Sequence, residues 1–220
     1  MDDLILASAS PRRQRLARWL GLPFSTAASD VEDDPGLARA QDPKNLAEQL
    51  AVAKASHVAA TVSGRGALVL GFDTLVVIDG QTLGKPRGTD EAREMLARLA
   101  GRAHEVITGV AAIRELDGRT ESFTHSTPVL MRSLSDEDTG AWLMGDEVLG
   151  CAGAYNIERH LGEVALDQCF QNVAGLPLCH SYLLLRTAYG LAPIRPDGPC
   201  NAARQVRCRL APRLLDNDGL

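Results

Sequence analysis

The 220-residue chain is 45% hydrophobic and 23% charged, an ordinary globular balance that suits one α/β domain or two closely packed lobes. Its formal net charge of -5 argues against non-specific nucleic-acid binding, which draws on a basic surface, so any basic site must be local. No apolar run approaches the ~18 residues that span a bilayer, and Met1-Asp2-Asp3 places acids where a secretion signal carries positive charge; a cytoplasmic chain without membrane contact is expected.

Residues 3–9 read as a short buried strand. Ser10-Pro11 then opens a helix that runs to residue 20, with serine at the N-cap, proline in the first turn and Gly21 as the stop. Residues 24–28 form a second expected strand, which leads into an acidic turn at 30–35. From residue 43 to about 60, Leu46, Leu50, Ala53 and Val58 recur at helical spacing. Residues 67–78 read as a strongly apolar strand interrupted by Asp73-Thr74. Asp79-Gly80 is a hairpin signal, and Thr82-Leu83 begins a return that ends at Gly84-Lys85-Pro86.

Residues 89–100 read as an amphipathic helix capped by Thr89, with acids in its first turn. Residues 104–114 and 121–132 read as strands joined at Asp117-Gly118, and 135 to about 144 as a short helix. A Gly- and Ala-rich loop at 150–155 precedes an expected strand at 164–170. The last expected helix is 178–189. Residues 191–220 read as an irregular, poorly ordered tail. The five cysteines form no C-x-x-C pair, so reduced thiols are expected, with Cys200 and Cys208 on the tail and no partner set for metal. The mixture of helices and hairpins predicts an α/β fold with a mixed sheet.

Three groups of residues carry chemistry. In Ser8-Ala9-Ser10-Pro11-Arg12-Arg13, a strand ends in hydroxyls and a helix opens with two arginines. Cations oppose the dipole of a helix N-terminus, a cost that makes sense if a polyanion lies between them; a capped helix with exposed arginines is the alternative. Asp73 sits inside an apolar strand, where a carboxylate needs a partner, and is the leading candidate for a general base or metal ligand. A carboxylate capping a turn at a strand end is its alternative. Lys54 in an apolar helix and Lys85 in Gly84-Lys85-Pro86 suit phosphate as point charges, although either could simply be solvated. The chain holds no P-loop, dinucleotide fingerprint, nucleophile elbow or metal-spaced histidine pair.

The order of these pieces resembles the Maf family of septum-formation-inhibitor-like nucleoside triphosphate pyrophosphatases. The resemblance is carried by Ser8-Ala9-Ser10-Pro11-Arg12-Arg13, Asp30-Val31-Glu32-Asp33, Leu50-Ala51-Val52-Ala53-Lys54-Ala55 and Phe72-Asp73-Thr74-Leu75-Val76. It continues through Gly84-Lys85-Pro86, His104-Glu105-Val106-Ile107-Thr108-Gly109-Val110, Ala152-Gly153-Ala154-Tyr155-Asn156-Ile157-Glu158 and Gly175-Leu176-Pro177-Leu178. The resemblance implies a domain over residues 1–190, with a mixed twisted sheet, flanking helices and two lobes around a central cleft. It also implies hydrolysis of a nucleoside triphosphate between the α and β phosphates with a divalent metal cation, Mg²⁺ or Mn²⁺. By the same resemblance Asp73 is the proton acceptor and a metal ligand. Glu32 is its acidic partner at the metal, with Asp33 as the alternative. Lys54 and Lys85 contact phosphate, and Ser8, Ser10, Arg12 and Arg13 form the substrate loop. The partners implied are the nucleotide and at most a second copy of the chain as a homodimer. A sensor of nucleotides that regulates cell division without turnover is the reading from another class.

Subgroups of the family differ at three positions occupied here by Arg12, Thr74 and Glu158. Arginine and threonine, two of the three, match the subgroup acting on dTTP and UTP, which has glutamine at the third, so dTTP and UTP are the expected substrates. Glutamate there matches a subgroup acting on 7-methyl-GTP. An ionised glutamate only accepts hydrogen bonds, so it opposes the O4 acceptor of uracil or thymine. Glu158 is expected either to favour a base that donates or to point away and pair with Arg159.

Overall fold

The computed structural model of the chain describes residues 3–29, 31, 42–62, 64, 66–145 and 147–216. The chain forms the expected mixed α/β architecture, a seven-stranded sheet flanked by helices. The strands are β1 (Leu4–Ala7), β2 (Phe24–Thr26), β3 (Leu68–Ile78), β4 (Gln81–Leu83), β5 (Ala103–Arg114), β6 (Thr120–Met131) and β7 (Gly162–Glu163). Their order is β2-β1-β3-β5-β6-β7, with β4 on the edge of β3. β1 runs parallel to both β2 and β3, and the remaining pairings are antiparallel.

Helix α1 (Pro11–Ala17) begins as expected: Ser10 is its N-cap and Pro11 stands in its first turn. A 3₁₀ turn (Arg18–Leu20) extends it to Gly21, whose φ of +67° supplies the left-handed stop. Helix α2 (Pro43–Thr61) is capped by Asp42, which accepts from the backbone N–H groups of Lys44 and Asn45. The pair β5 and β6 forms the expected long hairpin.

The sheet buries both faces. On one, Leu68, Leu70, Phe72, Val76 and Ile78 of β3 join the main core. On the other, Val69 meets Ala51, Ala55 and Val58 of α2, and Leu75 meets Leu46, Ala47 and Leu50. Each fully buried leucine or valine there contributes roughly 1.5–3 kcal/mol. Helix α2 comes unusually close because the sheet has glycine beneath it. A Cβ on Gly71 would lie 2.2 Å from the Ala51 carbonyl oxygen, and one on Gly109 would lie 2.1 Å from that of Ala47.

As expected, Asp73 lies inside an apolar strand: β3 runs unbroken through Asp73 and Thr74. Several other expectations are corrected. Helix α3 (Thr89–Leu99) is N-capped by Gly88, not Thr89; Glu91 reaches back to accept from the Arg87 N–H at 2.8 Å. Residues 164–170 are not a strand. Gln168 N–H bonds back to the Ala165 carbonyl in a turn, and Phe170 starts the short helix α5 (Phe170–Val173), which follows α4 (Asp136–Leu143). Helix α6 (Leu178–Leu183) continues into a π turn (Leu184–Ala188).

The expected irregular tail instead forms helices α7 (Asp197–Arg204) and α8 (Leu210–Leu215). Ala211 and Leu215 are buried in the main core, and the Arg209 and Ile194 N–H groups bond to the Leu166 and Leu20 carbonyls, each at 2.7 Å. This apolar burial, spread over few residues, is what composition alone hid. The acidic turn at 30–35 lies almost wholly outside the described residues; of it, only Val31 is described.

Candidate active site

The site arises from a gap in strand pairing. β1 pairs with β3 only as far as Ala7 opposite Gly71, and β4 pairs with β3 only from Val76 onward. Residues 72–75 therefore have no strand on that edge among the described residues. A cleft of about 990 Å³ opens along this unpaired stretch. Parallel β1 ends there in the Ser8–Ser10 turn, the place where α/β sheets receive ligands.

Strand alternation sends Asp73 and Thr74 to opposite faces. Asp73, 4% exposed, turns towards α2, where its Oδ1 accepts from Lys54 Nζ at 2.5 Å. The glycines under α2 are what allow this meeting, since α2 carries Lys54 down to the strand. Thr74 turns the other way. Its Oγ1 accepts from Arg13 Nη2 at 2.8 Å and lies 3.0 Å from Thr108 Oγ1. Thr108 donates its one hydroxyl proton to the Asn172 carbonyl at 3.0 Å. Thr74 must therefore donate to Thr108, and the chain runs in one direction, from Arg13 through Thr74 and Thr108 to Asn172. Asn172 is held in turn by Val106 and Thr127. Arg13 also donates to the Gly175 carbonyl at 2.9 Å and lies over the Phe72 ring.

All the expected site residues within the described part line this cleft: Ser8, Ser10, Arg12, Arg13, Lys54, Asp73, Thr74, Lys85 and Glu158. Glu32 and Asp33 lie outside the described residues. The cleft walls do not use these side chains equally. Ser10 Oγ accepts from the Arg13 N–H as the helix cap, and Ser8 Oγ accepts from the Ser10 N–H. Arg12 reaches across to Cys151 Sγ at 3.0 Å and the Gly150 carbonyl at 3.4 Å. Lys85 stands exposed at the rim.

Glu158 does not pair with Arg159, as its neighbour in sequence suggested. It accepts from Arg15, while Arg159 bonds to Glu147 at 2.7 Å. Arg159 and Asn156 together hold the Glu147 carboxyl below its ordinary range, so it is ionised at neutral pH. Arg15, Arg18 and Glu147 line the cleft and were missed in the sequence. Arg15 is legible only in hindsight, one helical turn beyond Arg12; nothing local marks Glu147.

Among the described lining residues, Arg12, Arg13, Arg15, Arg18, Lys54 and Lys85 outnumber Asp73, Glu147 and Glu158. An acidic chain thus presents a locally cationic cleft, which concentrates an anionic ligand. A buried carboxylate beside a lysine at its floor gives that ligand a proton acceptor. Tyr155 closes part of the wall, its hydroxyl 2.7 Å from His104 Nε2.

Comparison with known proteins finds relatives of this chain. The family described as "Maf-like protein" matches residues 3–188. A dTTP/UTP pyrophosphatase of Symbiobacterium thermophilum is 42% identical over 193 residues, covering 86% of this chain and 95% of that one. A dTTP/UTP pyrophosphatase of Moorella thermoacetica is 44% identical over 181 residues, covering 81% and 91%. Among solved structures, a nucleoside-triphosphatase/dITP/XTP pyrophosphatase from Mycobacterium abscessus is similar with a TM-score of 0.39 at 15% identity, covering 59% of this chain and 72% of that one.

Proposed function

The chain belongs to the Maf family, and from that premise we propose that it hydrolyses dTTP and UTP to the nucleoside monophosphate and pyrophosphate. The observation that carries the reading is the Lys54–Asp73 pair on the stretch of β3 that is open along one edge, in a cleft crowded with cations. A triphosphate is the small ligand that matches several separated positive charges. Arg12 and Lys85, which both line the cleft, hold its phosphates. Arg13 is a positioning residue, fixed by Thr74 and Gly175. Asp73 accepts the proton of the attacking water as its oxygen bonds to the α-phosphorus. The bond from that phosphorus to the bridging oxygen breaks, and pyrophosphate leaves. Lys54 keeps the carboxylate oriented and offsets its charge.

A divalent cation fits the donor chemistry of the site. Mg²⁺ and Mn²⁺ take oxygen ligands and are commonly held by one or two carboxylates plus substrate phosphates. Asp73 supplies such a carboxylate, and Glu32, with Asp33 as its alternative, is the proposed second ligand. Among the described residues no three acidic, histidine or cysteine side chains stand in ligating geometry. When bound, such an ion neutralises charge on the phosphate oxygens. No helix among the described residues is long and apolar enough to cross a membrane, and we place the enzyme in the cytoplasm.

Purified protein incubated with Mg²⁺ or Mn²⁺ and UTP, dTTP, CTP, GTP and 7-methyl-GTP tests the reading by product identification. Monophosphate plus pyrophosphate from UTP and dTTP, abolished in Asp73→Asn, is expected. Diphosphate plus orthophosphate would mean that another bond is cut. Tight binding without turnover would replace the enzyme with a nucleotide sensor.

A further inference from the structure

The segment from 147 to 159 supplies one wall of the cleft, with Glu147, Cys151, Asn156 and Glu158 among its lining. It meets the cations at three places. Cys151 Sγ accepts from Arg12 Nη1 at 3.0 Å. The Gly153 N–H donates to the Gly84 carbonyl at 3.0 Å, next to Lys85. Glu158 accepts from Arg15. Little regular structure holds the segment itself, which is built of three short 3₁₀ turns. Ala154 adopts a left-handed φ of +59°, which a non-glycine residue keeps only where its surroundings enforce it.

Glu147 closes this segment on itself. Its carboxylate accepts from Asn156 Nδ2 at 2.8 Å and from Arg159 Nη2 at 2.7 Å, drawing residues nine and twelve positions further on back to the start. Asn156, 6% exposed, passes the restraint on, because its Oδ1 accepts from the Glu158 N–H at 3.0 Å. The main chain of Glu147 serves the other contact. Its carbonyl accepts from the Cys151 thiol at 3.1 Å, and Cys151 is the sulfur that Arg12 meets. One residue is thereby bonded towards both Arg12 and Glu158. Its carboxyl is ionised, so the bonds to Asn156 and Arg159 are of the stronger, charge-assisted kind.

We propose that Glu147 is a positioning residue for the bound nucleotide, which rests on the nucleotide reading of the cleft: its carboxylate clasps residues 147–159 into one piece and so sets Arg12 for the phosphates and Glu158 for the base together. Both carboxylate oxygens are already engaged by Asn156 and Arg159, which suits a group that acts through its neighbours. Holding the two ends of the substrate in one geometry is what brings the α-phosphorus to Asp73.

Glu147→Gln in the full chain is the first variant. Glu147 is 41% exposed at the side chain, so the fold should survive with an unchanged Tm. The new amide has one acceptor oxygen where two donors point. Calorimetry in Mg²⁺ buffer reads the two ends without turnover. Tripolyphosphate, which has no base, reports the phosphate end, and the α,β-methylene analogues of UTP and GTP report base preference. Glu147→Gln should weaken tripolyphosphate binding and lower the UTP-over-GTP ratio, each by about three- to tenfold. In kinetics the loss should fall mainly on KM. In Glu147→Gln/Asn156→Asp the new amide donates to the new carboxylate while its oxygen accepts from Arg159, so the clasp is restored with roles exchanged. Both readings should then return to within about twofold of the unaltered chain. Unchanged affinities in Glu147→Gln overturn the proposal, as does a change confined to one end or a loss that the folded exchange variant does not recover. If the exchange variant does not fold, the two affinities of the single variant decide. Absence of UTP hydrolysis by the unaltered chain, with these binding shifts present, supports the clasp and overturns the reaction instead.

Discussion

Arg15 and Glu158, 143 residues apart in the chain, form an ion pair within the cleft lining. The pair changes what Glu158 can do. Alone, its carboxylate would repel an O4 acceptor; beside a guanidinium, acceptor and donor stand together, as they do in a single glutamine amide. Glu158→Gln should therefore raise kcat/KM for UTP and dTTP over GTP by no more than about tenfold, roughly 1.4 kcal/mol. Arg15→Gln, which leaves the carboxylate without that guanidinium, should lower the same ratio. Competition assays on the nucleotide panel check both. An unchanged ratio in both variants would remove the pair from base selection.

The two lysines should separate in a stability measurement. Lys54 is 17% exposed and its partner Asp73 6% exposed at the side chain. Removing one partner of so buried a pair leaves the other charge poorly compensated, at about 3 kcal/mol. Lys54→Met should lower the urea midpoint and reduce kcat by about 10²-fold or more. Lys85→Met, at the exposed rim, should weaken turnover with an unchanged urea midpoint.

The chain from Arg13 through Thr74 to Thr108 predicts coupled losses. Thr74→Val removes the acceptor for Arg13 and the donor to Thr108. A loss of about 1–2 kcal/mol in stability is expected, with activity down because Arg13 is no longer held. A double-mutant cycle with Thr108→Val should show a non-additive term of at least about 0.5 kcal/mol. Strict additivity would mean the two hydroxyls act independently.

Gly109→Ala tests how α2 is seated. The new methyl would meet the Ala47 carbonyl oxygen at 2.1 Å, and backbone cannot swing aside as a side chain can. Helix α2 must lift, taking Lys54 away from Asp73. The variant should lose about 3 kcal/mol or more and most of its turnover. Gly140→Ala, with open space around it and away from the cleft, is the control.

Two histidines give a pH dependence, His104 buried and His125 half-buried. Desolvation lowers His104 and His125 from 6.5 to about 4, His125 also being opposed by His180. The folded pKa is below the unfolded value, so the unfolded chain binds more protons between these limits. Stability is then full above about pH 6.5 and declines as pH falls towards about 4, by on the order of 1–3 kcal/mol for each group. Urea midpoints across that window should fall, and His125→Gln should flatten the slope. A slope unchanged in the variant would assign the acid loss to carboxylates.

Much of the fold was legible because it is local. The Ser10 cap, the Gly21 stop, the Asp79-Gly80 hairpin and the apolar runs of β3 and β5 are settled by neighbours a few residues away. The chemistry-bearing types were also legible, since a carboxylate in an apolar strand carries its cost wherever the strand is placed. Tertiary structure alone decided where β1 and β4 leave one edge of β3 open, and so where the cleft opens. It decided that α2 lies on glycines and delivers Lys54 to Asp73, that Glu158 meets Arg15 instead of Arg159, and that the tail folds back with its cysteines. Each of these depends on register and contact between distant segments, where the free energy comes from burial shared across the fold rather than from any one stretch of sequence.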